Sequence, residues 1–385
     1  MIFVNKLKKI DWSIVAILGA LMVASTFIVY SAVHNTNFEG IHVRHVLFFA
    51  FGFLVLFGTS MLNFRVILKI APYLYGIGVL SLIAVYFFGA TINKARGWFI
   101  IPGIQMNVQP AEFVKLVIIV TVAYVLARKL GEPLELLRDV VPVGLLVFIP
   151  FVWVVIQPDL GNAIIYVVIL AGMLWIGGVK YVHVLLGLAI AAGAAFGAIS
   201  LVETFHEPIE KFLGEVGAGH WMDRIDAFLY PDQATSNDKW QVNNSLMAIG
   251  SGALFGEGFM GGTSVHTGRI PYTYSDSIFV VIGEEFGFLG ASAILLLYFL
   301  LIYRLILISI QTTDRGGSYI IVGIVSMLVF QIFQNIGMFL ELLPLTGITL
   351  PFVSYGGSSL IINMLSIGLA LSIRVHDDPP LDDVA

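Results

Sequence analysis

Apolar stretches of about 20 residues recur along this chain, and they close off most fold classes at once. A bilayer core about 30 Å thick takes about 20 apolar residues per helical crossing, and a helix satisfies its own backbone where no water is available. On that rule ten spans are expected, at roughly 13–33, 44–62, 66–88, 110–127, 140–156, 163–178, 181–201, 277–303, 317–339 and 355–373. Hydrophobic residues make up 58% of the 385-residue chain and charged residues 12%, which excludes an ordinary water-soluble globule. The first stretch follows Lys6, Lys8 and Lys9 as a signal peptide would, but it is too long and no small-residue cleavage site follows it. The expected fold is an all-α polytopic membrane protein, a single integral membrane domain over residues 1–385. With no cysteine there is neither a disulfide framework nor a thiolate metal site, and a net charge of −5 gives no sign of nucleic acid.

The cations orient it. With the N-terminus inside, cytoplasmic segments hold twelve of the 20 Lys and Arg, whereas the short outer segments hold three, Arg44, Lys94 and Arg96. That bias puts both termini in the cytoplasm. The outer side then carries nearly everything unusual: the stretch 89–109, Gln157 to Gly161, a large extracellular loop over 202–276, and Leu343 to Gly357. A carrier would place such polar residues at the midplane; here they point to a site at headgroup level on the outer face. Within the long loop, amphipathic spacing predicts short helices after Pro208 (Ile209, Phe212, Leu213, Val216), around Trp221 to Leu229, and at Val242, Leu246 and Ile249. Such helices suit a bilayer surface or a groove cap, and equally a passive lid. Gly250, Gly252, Gly256, Gly258, Gly261 and Gly262 follow as a flexible run, a weak signal for phosphate.

Carboxylates within a span are costly and mark chemistry or transport. Asp276 stands at the mouth of the eighth span, directly after the long loop, where the alternative reading is a helix N-cap. If the helix runs on from there, Glu284 lies on the same face, roughly 12 Å deeper. Lys115, in the fourth span, has Glu112 one turn before it, and a buried ion network with Asp159 or Glu284 is the structural alternative to substrate binding. Arg96 and Trp98 belong to the outer interface, where Trp anchors and Arg grips phosphate bidentately. The eight histidines show no ligand spacing, and His42 and His45, flanking Arg44, read as surface residues. What remains is a carboxylate base with cations for a phosphate, at a lipid-level groove.

Four motifs carry a resemblance: Gln157-Pro158-Asp159-Leu160-Gly161; Ala248 to Gly252 with Leu254-Phe255-Gly256; Gly283-Glu284-Glu285-Phe286-Gly287-Phe288-Leu289-Gly290; and Leu350-Pro351-Phe352-Val353-Ser354-Tyr355-Gly356-Gly357-Ser358-Ser359. Together they are similar to the SEDS proteins of bacterial shape, elongation, division and sporulation, over the whole chain. The resemblance implies a peptidoglycan glycosyltransferase of the bacterial cell membrane that polymerises lipid II, the undecaprenyl-pyrophosphate-linked disaccharide pentapeptide. It also implies a class B penicillin-binding protein as partner, and it leaves a divalent cation, Mg or Mn, open. Asp276 falls on the family's essential aspartate. Arg96, Trp98, Glu112, Lys115 and Asp159 fall on its other characteristic positions; with Glu284, Ser354, Gly356 and Gly357 they form the candidate substrate-binding set. The chain departs at Gly97, where a second arginine is usual, at Ser275, Ser277 and Ala111, and at Glu341. Short terminal tails lean to the elongation branch. Asp276 is then expected to act as general base for an inverting transfer; the runner-up readings are a lipid II flippase and a non-catalytic scaffold for a transpeptidase.

Overall fold

The computed structural model describes residues 2–34, 36, 38–92, 95–101, 106–129, 131–215, 222 and 237–377. A basic helix, α1 (Ile2–Lys9), precedes α2 (Trp12–Val33), whose start is capped by Asp11 accepting from the Ser13 N–H. Then come α3 (Ile41–Met61), the short α4 (Phe64–Lys69) and α5 (Ala71–Phe88). The third expected span is thus broken at Ile70, where Pro72 cannot donate to a continuing helix. After the sheet described below lie α6 (Pro110–Ala127), a π-turn (Leu136–Val140) running into α7 (Val141–Ile156), α8 (Leu160–Ile176) and α9 (Tyr181–Thr204). Among the described residues eight helices are long and apolar enough to cross a membrane; α8, at 17 residues, is shorter.

The all-α expectation needs one correction. Residues 89–109 form a small antiparallel sheet, β1 (Ala90–Ile92), β2 (Ala95–Ile101) and β3 (Met106–Val108), in the order β1-β2-β3. Thr91, Ile92, Phe99, Ile100 and Ile101 favour the pleated conformation, and the segment is too short to span.

In the long loop, α10 (His206–Glu215) and α11 (Asn237–Ser251) sit where amphipathic spacing predicts helices; apart from Met222, the expected middle helix lies outside the described residues. A single turn, α12 (Thr263–His266), leads to α13 (Ile278–Gln311), α14 (Arg315–Phe339) and α15 (Gly357–His376). The core lies where α6, α14 and α15 are buried among their neighbours; α6 keeps Glu112 and Lys115 inside. One end of the bundle is knitted by ions: Asp11 meets Arg304 and Arg374, Arg65 meets Asp314 at 2.9 Å, and Lys129 meets Asp139 at 2.6 Å. These are the cations that the charge bias assigns to the cytoplasm.

The eighth span is not one continuous helix. Gly287 breaks α13 with φ 62° and ψ −159°, and the glycine-rich loop docks into the break. Phe288 and Leu289 donate N–H bonds to the carbonyls of Ala253 and Leu254 (2.9 and 3.1 Å), and Glu257 and Gly258 donate back to those of Glu284 and Glu285 (2.9 and 3.0 Å). Backbone groups freed by the break thus find partners in protein, as they must near lipid. Gly252, Gly256, Gly261 and Gly262 therefore serve close packing, each leaving no room for a Cβ. Gly256 has φ +80°, and a Cβ there would stand 2.1 Å from the Glu285 carbonyl oxygen. Gly256→Ala combines a left-handed conformation with overpacking and is expected to cost about 2–4 kcal/mol. Thermal unfolding in detergent checks this; a midpoint equal to wild type would contradict it.

Candidate functional site

Asp276 lies in the turn before α13, and Ser277, not Asp276, is the N-cap residue, without a side-chain cap. The turn is held by its neighbours. Thr273 Oγ1 donates to the Ala32 carbonyl (3.2 Å), Asn335 Nδ2 donates to the carbonyls of Asp276 (2.8 Å) and Ile348 (2.7 Å), Tyr355 N donates to the Tyr274 carbonyl (2.9 Å), and Ser354 Oγ donates to the Ser275 carbonyl (2.5 Å). Three elements, α2, α14 and the 343–356 segment, thus fix the backbone and leave the carboxyl half-buried, with the Ser275 hydroxyl donating to its Oδ1 at 2.8 Å. Burial raises the Asp276 pKa above the ordinary aspartate value, and the Ser275 hydrogen bond partly opposes the rise.

Its depth follows from the helices that hold it. Ala32 is 20 residues from the start of α2, and Asn335 is 20 residues from the start of α14, so both stand about 30 Å from the ionic end of the bundle. That is one hydrocarbon thickness. Asp276 sits at the opposite membrane boundary.

A second polar cluster adjoins it across Thr346–Ile348. A Cβ on Gly347 would lie 3.7 Å from Asp276 Oδ2, and one on Gly161 would lie 2.5 Å from the Ile348 side chain. At that helix start Asp159 caps α8, accepting from Asn162 N at 3.1 Å and from Asn162 Nδ2 and Gln109 Nε2 at 2.8 and 2.6 Å. Burial raises the Asp159 pKa, the Asn162 bonds oppose that, Glu112 adds to it and Lys115 counters it, so all three ionisable groups share one field. Lys115 and Glu112 form a buried ion pair at 2.6 Å. Gln331, Gln334 and Asn335 add buried amide oxygens to the outer third of α14, acceptors open to a hydroxylated ligand or water.

The remaining candidates are placed elsewhere. Arg96 does not sit free in a loop: strand β2 lays it along the end of α5, where Nε donates to the Gly89 carbonyl (3.0 Å) and an Nη to that of Phe87 (2.9 Å). Trp98 pairs with Ala90 in the same sheet and is half-buried. Glu284 faces neither a cleft nor a cation; its carboxylate accepts from the backbone N–H groups of Ser264 (2.7 Å) and Val265 (3.0 Å) and so fastens α12. Glu285, beside it, accepts from Ser31 Oγ at 2.6 Å and contacts His266 at 3.2 Å. Ser354 pins the Asp276 turn and also accepts from Leu350 N at 2.8 Å, and Gly356 and Gly357 open α15. His45 is buried, not a surface residue as its loop-like setting suggests, because Ser25 on α2 offers it a partner at 2.5 Å. Sequence reasoning missed Asn335, Gln109 and His45; polar side chains in the outer third of apolar spans were the available signal. Among the described residues no group of three His, Asp or Glu surrounds a common point.

This constellation has counterparts. The family model for the FtsW, RodA and SpoVE cell cycle proteins matches residues 5–378. The peptidoglycan glycosyltransferase MrdB of Escherichia coli (strain K12) is 32% identical over 373 residues, covering 95% of this chain and 94% of that protein. Among solved structures, a chain from work on the structural coordination of polymerization and crosslinking by a peptidoglycan synthase complex superposes with a TM-score of 0.77 at 26% identity, covering 96% of this chain and 99% of that one. The Thermus thermophilus rod shape determining protein RodA gives 0.68 at 26% identity, covering 96% and 98%. A family match over nearly all of the chain and a full-length relative above 30% identity converge on one conclusion: this multi-pass membrane protein belongs to the FtsW/RodA/SpoVE family of cell cycle proteins.

Proposed function

We propose that this chain is a peptidoglycan glycosyltransferase of the bacterial cytoplasmic membrane, working on lipid II at the outer face with Asp276 as general base. The observation that carries it is the half-buried Asp276 about 30 Å from the cytoplasmic ion pairs, at the depth where a lipid-linked sugar presents its headgroup. The acceptor hydroxyl oxygen attacks the anomeric carbon of the donor from the face opposite the leaving group. The new C–O bond forms as the bond to the pyrophosphate breaks, and undecaprenyl pyrophosphate departs with the electron pair. The acceptor proton passes to Asp276. A pyrophosphate leaves without an acid, so one carboxylate suffices, unlike the pair in glycoside hydrolysis. The full-length relative named a peptidoglycan glycosyltransferase supports the same reading.

A flippase would use ionisable groups in the middle of the membrane. Glu284 is committed to α12 and Lys115 to Glu112, so the described residues favour the enzyme. Purified protein with labelled lipid II decides: lengthening gives polymer, and transfer between leaflets without polymer would overturn the proposal. The partner proposed is a class B penicillin-binding protein that crosslinks the strand, in keeping with the peptidoglycan synthase complex that supplies a structural neighbour. For Arg96→Ala the expectation is structural: two carbonyl bonds at an exposed site are worth about 1 kcal/mol, with the KM for lipid II within about twofold of wild type. A large rise in KM would instead assign Arg96 to substrate.

A further inference from the structure

The donor's pyrophosphate needs a cation. Of the two read from the sequence, Arg96 is bonded to the α5 carbonyls and Lys115 to Glu112. Another stands beside the Asp276 turn. Arg44 lies in the first turn of α3, 17 residues from its cytoplasmic end at Met61, hence about 26 Å up at the outer boundary, and it is exposed. Its neighbour His45 pins that turn. Ser25 Oγ spends its one proton on the Val353 carbonyl (2.6 Å), so His45 Nε2 must donate to Ser25 Oγ (2.5 Å), and the His45 ring lies 5.8 Å from that of Tyr355. The Arg44 guanidinium opposes the rise that burial gives the Tyr355 phenol's pKa, so the two side chains lie near each other. Tyr355 in turn donates its N–H to Tyr274, while Ser354 holds Ser275, so this cation is tied to the two residues just before Asp276. A neutral phenol beside a guanidinium leaves its charge uncancelled. The next residues open α15, whose N-cap, Gly356, has no side chain to offer, so the first-turn N–H groups add positive potential beside Tyr355.

We infer that Arg44, next to the His45–Tyr355 contact and backed by the first turn of α15, is the binding site for the pyrophosphate of the lipid-linked donor. The inference rests on the glycosyltransferase reading and supplies the charge that the leaving group requires. Arginine suits this task because its planar fork grips phosphate oxygens in pairs. The phosphate of a phospholipid headgroup has the same chemistry at the same depth, and the experiment separates the two.

Wild type, Arg44→Ala, Arg44→Lys and Tyr355→Phe are purified in detergent. Each is measured for lipid II polymerisation, for inhibition by undecaprenyl pyrophosphate, and for direct binding of undecaprenyl pyrophosphate by thermal shift. Arg44→Ala is expected to raise the KM and weaken inhibition and binding in the same ratio, about ten- to hundredfold, the size of lost charge-assisted bonds. Arg44→Lys should recover part of the loss, and Tyr355→Phe should lose less. A folded Arg44→Ala protein with wild-type KM, inhibition and binding overturns the inference. So does a variant that loses only its stabilisation by added phosphatidylglycerol, which would make Arg44 a headgroup anchor. If Arg44→Ala does not fold, Arg44→Lys and Tyr355→Phe decide, and unchanged constants in both overturn it. Failure of the glycosyltransferase reading looks different: wild type makes no polymer, yet undecaprenyl pyrophosphate binding still falls in Arg44→Ala.

Discussion

Asp276→Asn is expected to abolish polymerisation of lipid II by the purified protein, with a rate loss of about 10²–10⁴-fold, the usual contribution of a positioned general base. The variant should stay folded. The turn is held through backbone carbonyls that Asn335, Tyr355 and Ser354 address, none of which the substitution touches, and Asn can still accept from the Ser275 hydroxyl. The pH profile is a second readout. Because burial lifts the Asp276 pKa, the carboxylate is protonated at a higher pH than an exposed aspartate would be. As the pH falls through the raised value the base is lost, so the acid limb of kcat should lie above the ordinary aspartate range. Retained polymer in Asp276→Asn would remove this residue from the chemistry and leave the scaffold reading.

Much of this was legible because a bilayer imposes hard rules. Apolar length marked the spans, and cation bias marked the sides, since Arg65, Arg304 and Arg374 do pair with acids at the end of the bundle opposite Asp276. The placement of Asp276 at the mouth of its span was readable for the same reason. What was not legible depended on which segments meet. Glu284 looked like a midplane ion because helical spacing put it there; the break at Gly287 and the distant loop that fills it hand its carboxylate to Ser264 and Val265. Arg96 read as an interface cation for phosphate because the β-favouring residues around it do not say that their strand runs back along α5. His45 looked superficial because its partner, Ser25, is 20 residues away on another helix. Periodicity sees one element at a time, and these three outcomes are tertiary.

Lys115→Met is expected to destabilise the protein by about 3–5 kcal/mol, because it strands Glu112 as an unpaired charge inside the bundle. Both side chains are buried, and they meet at 2.6 Å. The loss should reach Asp159 as well: its carboxyl feels Glu112 as a repulsion and Lys115 as a compensation, so removing the cation pushes its pKa further up. Replacing both partners, as Glu112→Gln with Lys115→Met, removes the stranded charge and should return most of the stability, as is common for buried pairs exchanged for neutral groups. Thermal unfolding of the four proteins gives the coupling energy directly. The same set tells structure from substrate binding. If the pair only fixes packing around α6, the double variant regains polymerisation together with stability. If Lys115 also meets the substrate, the double variant regains stability alone and stays slow on lipid II. A destabilisation within about 0.5 kcal/mol for Lys115→Met would show that water already reaches the pair, and α6 would then line the cleft itself.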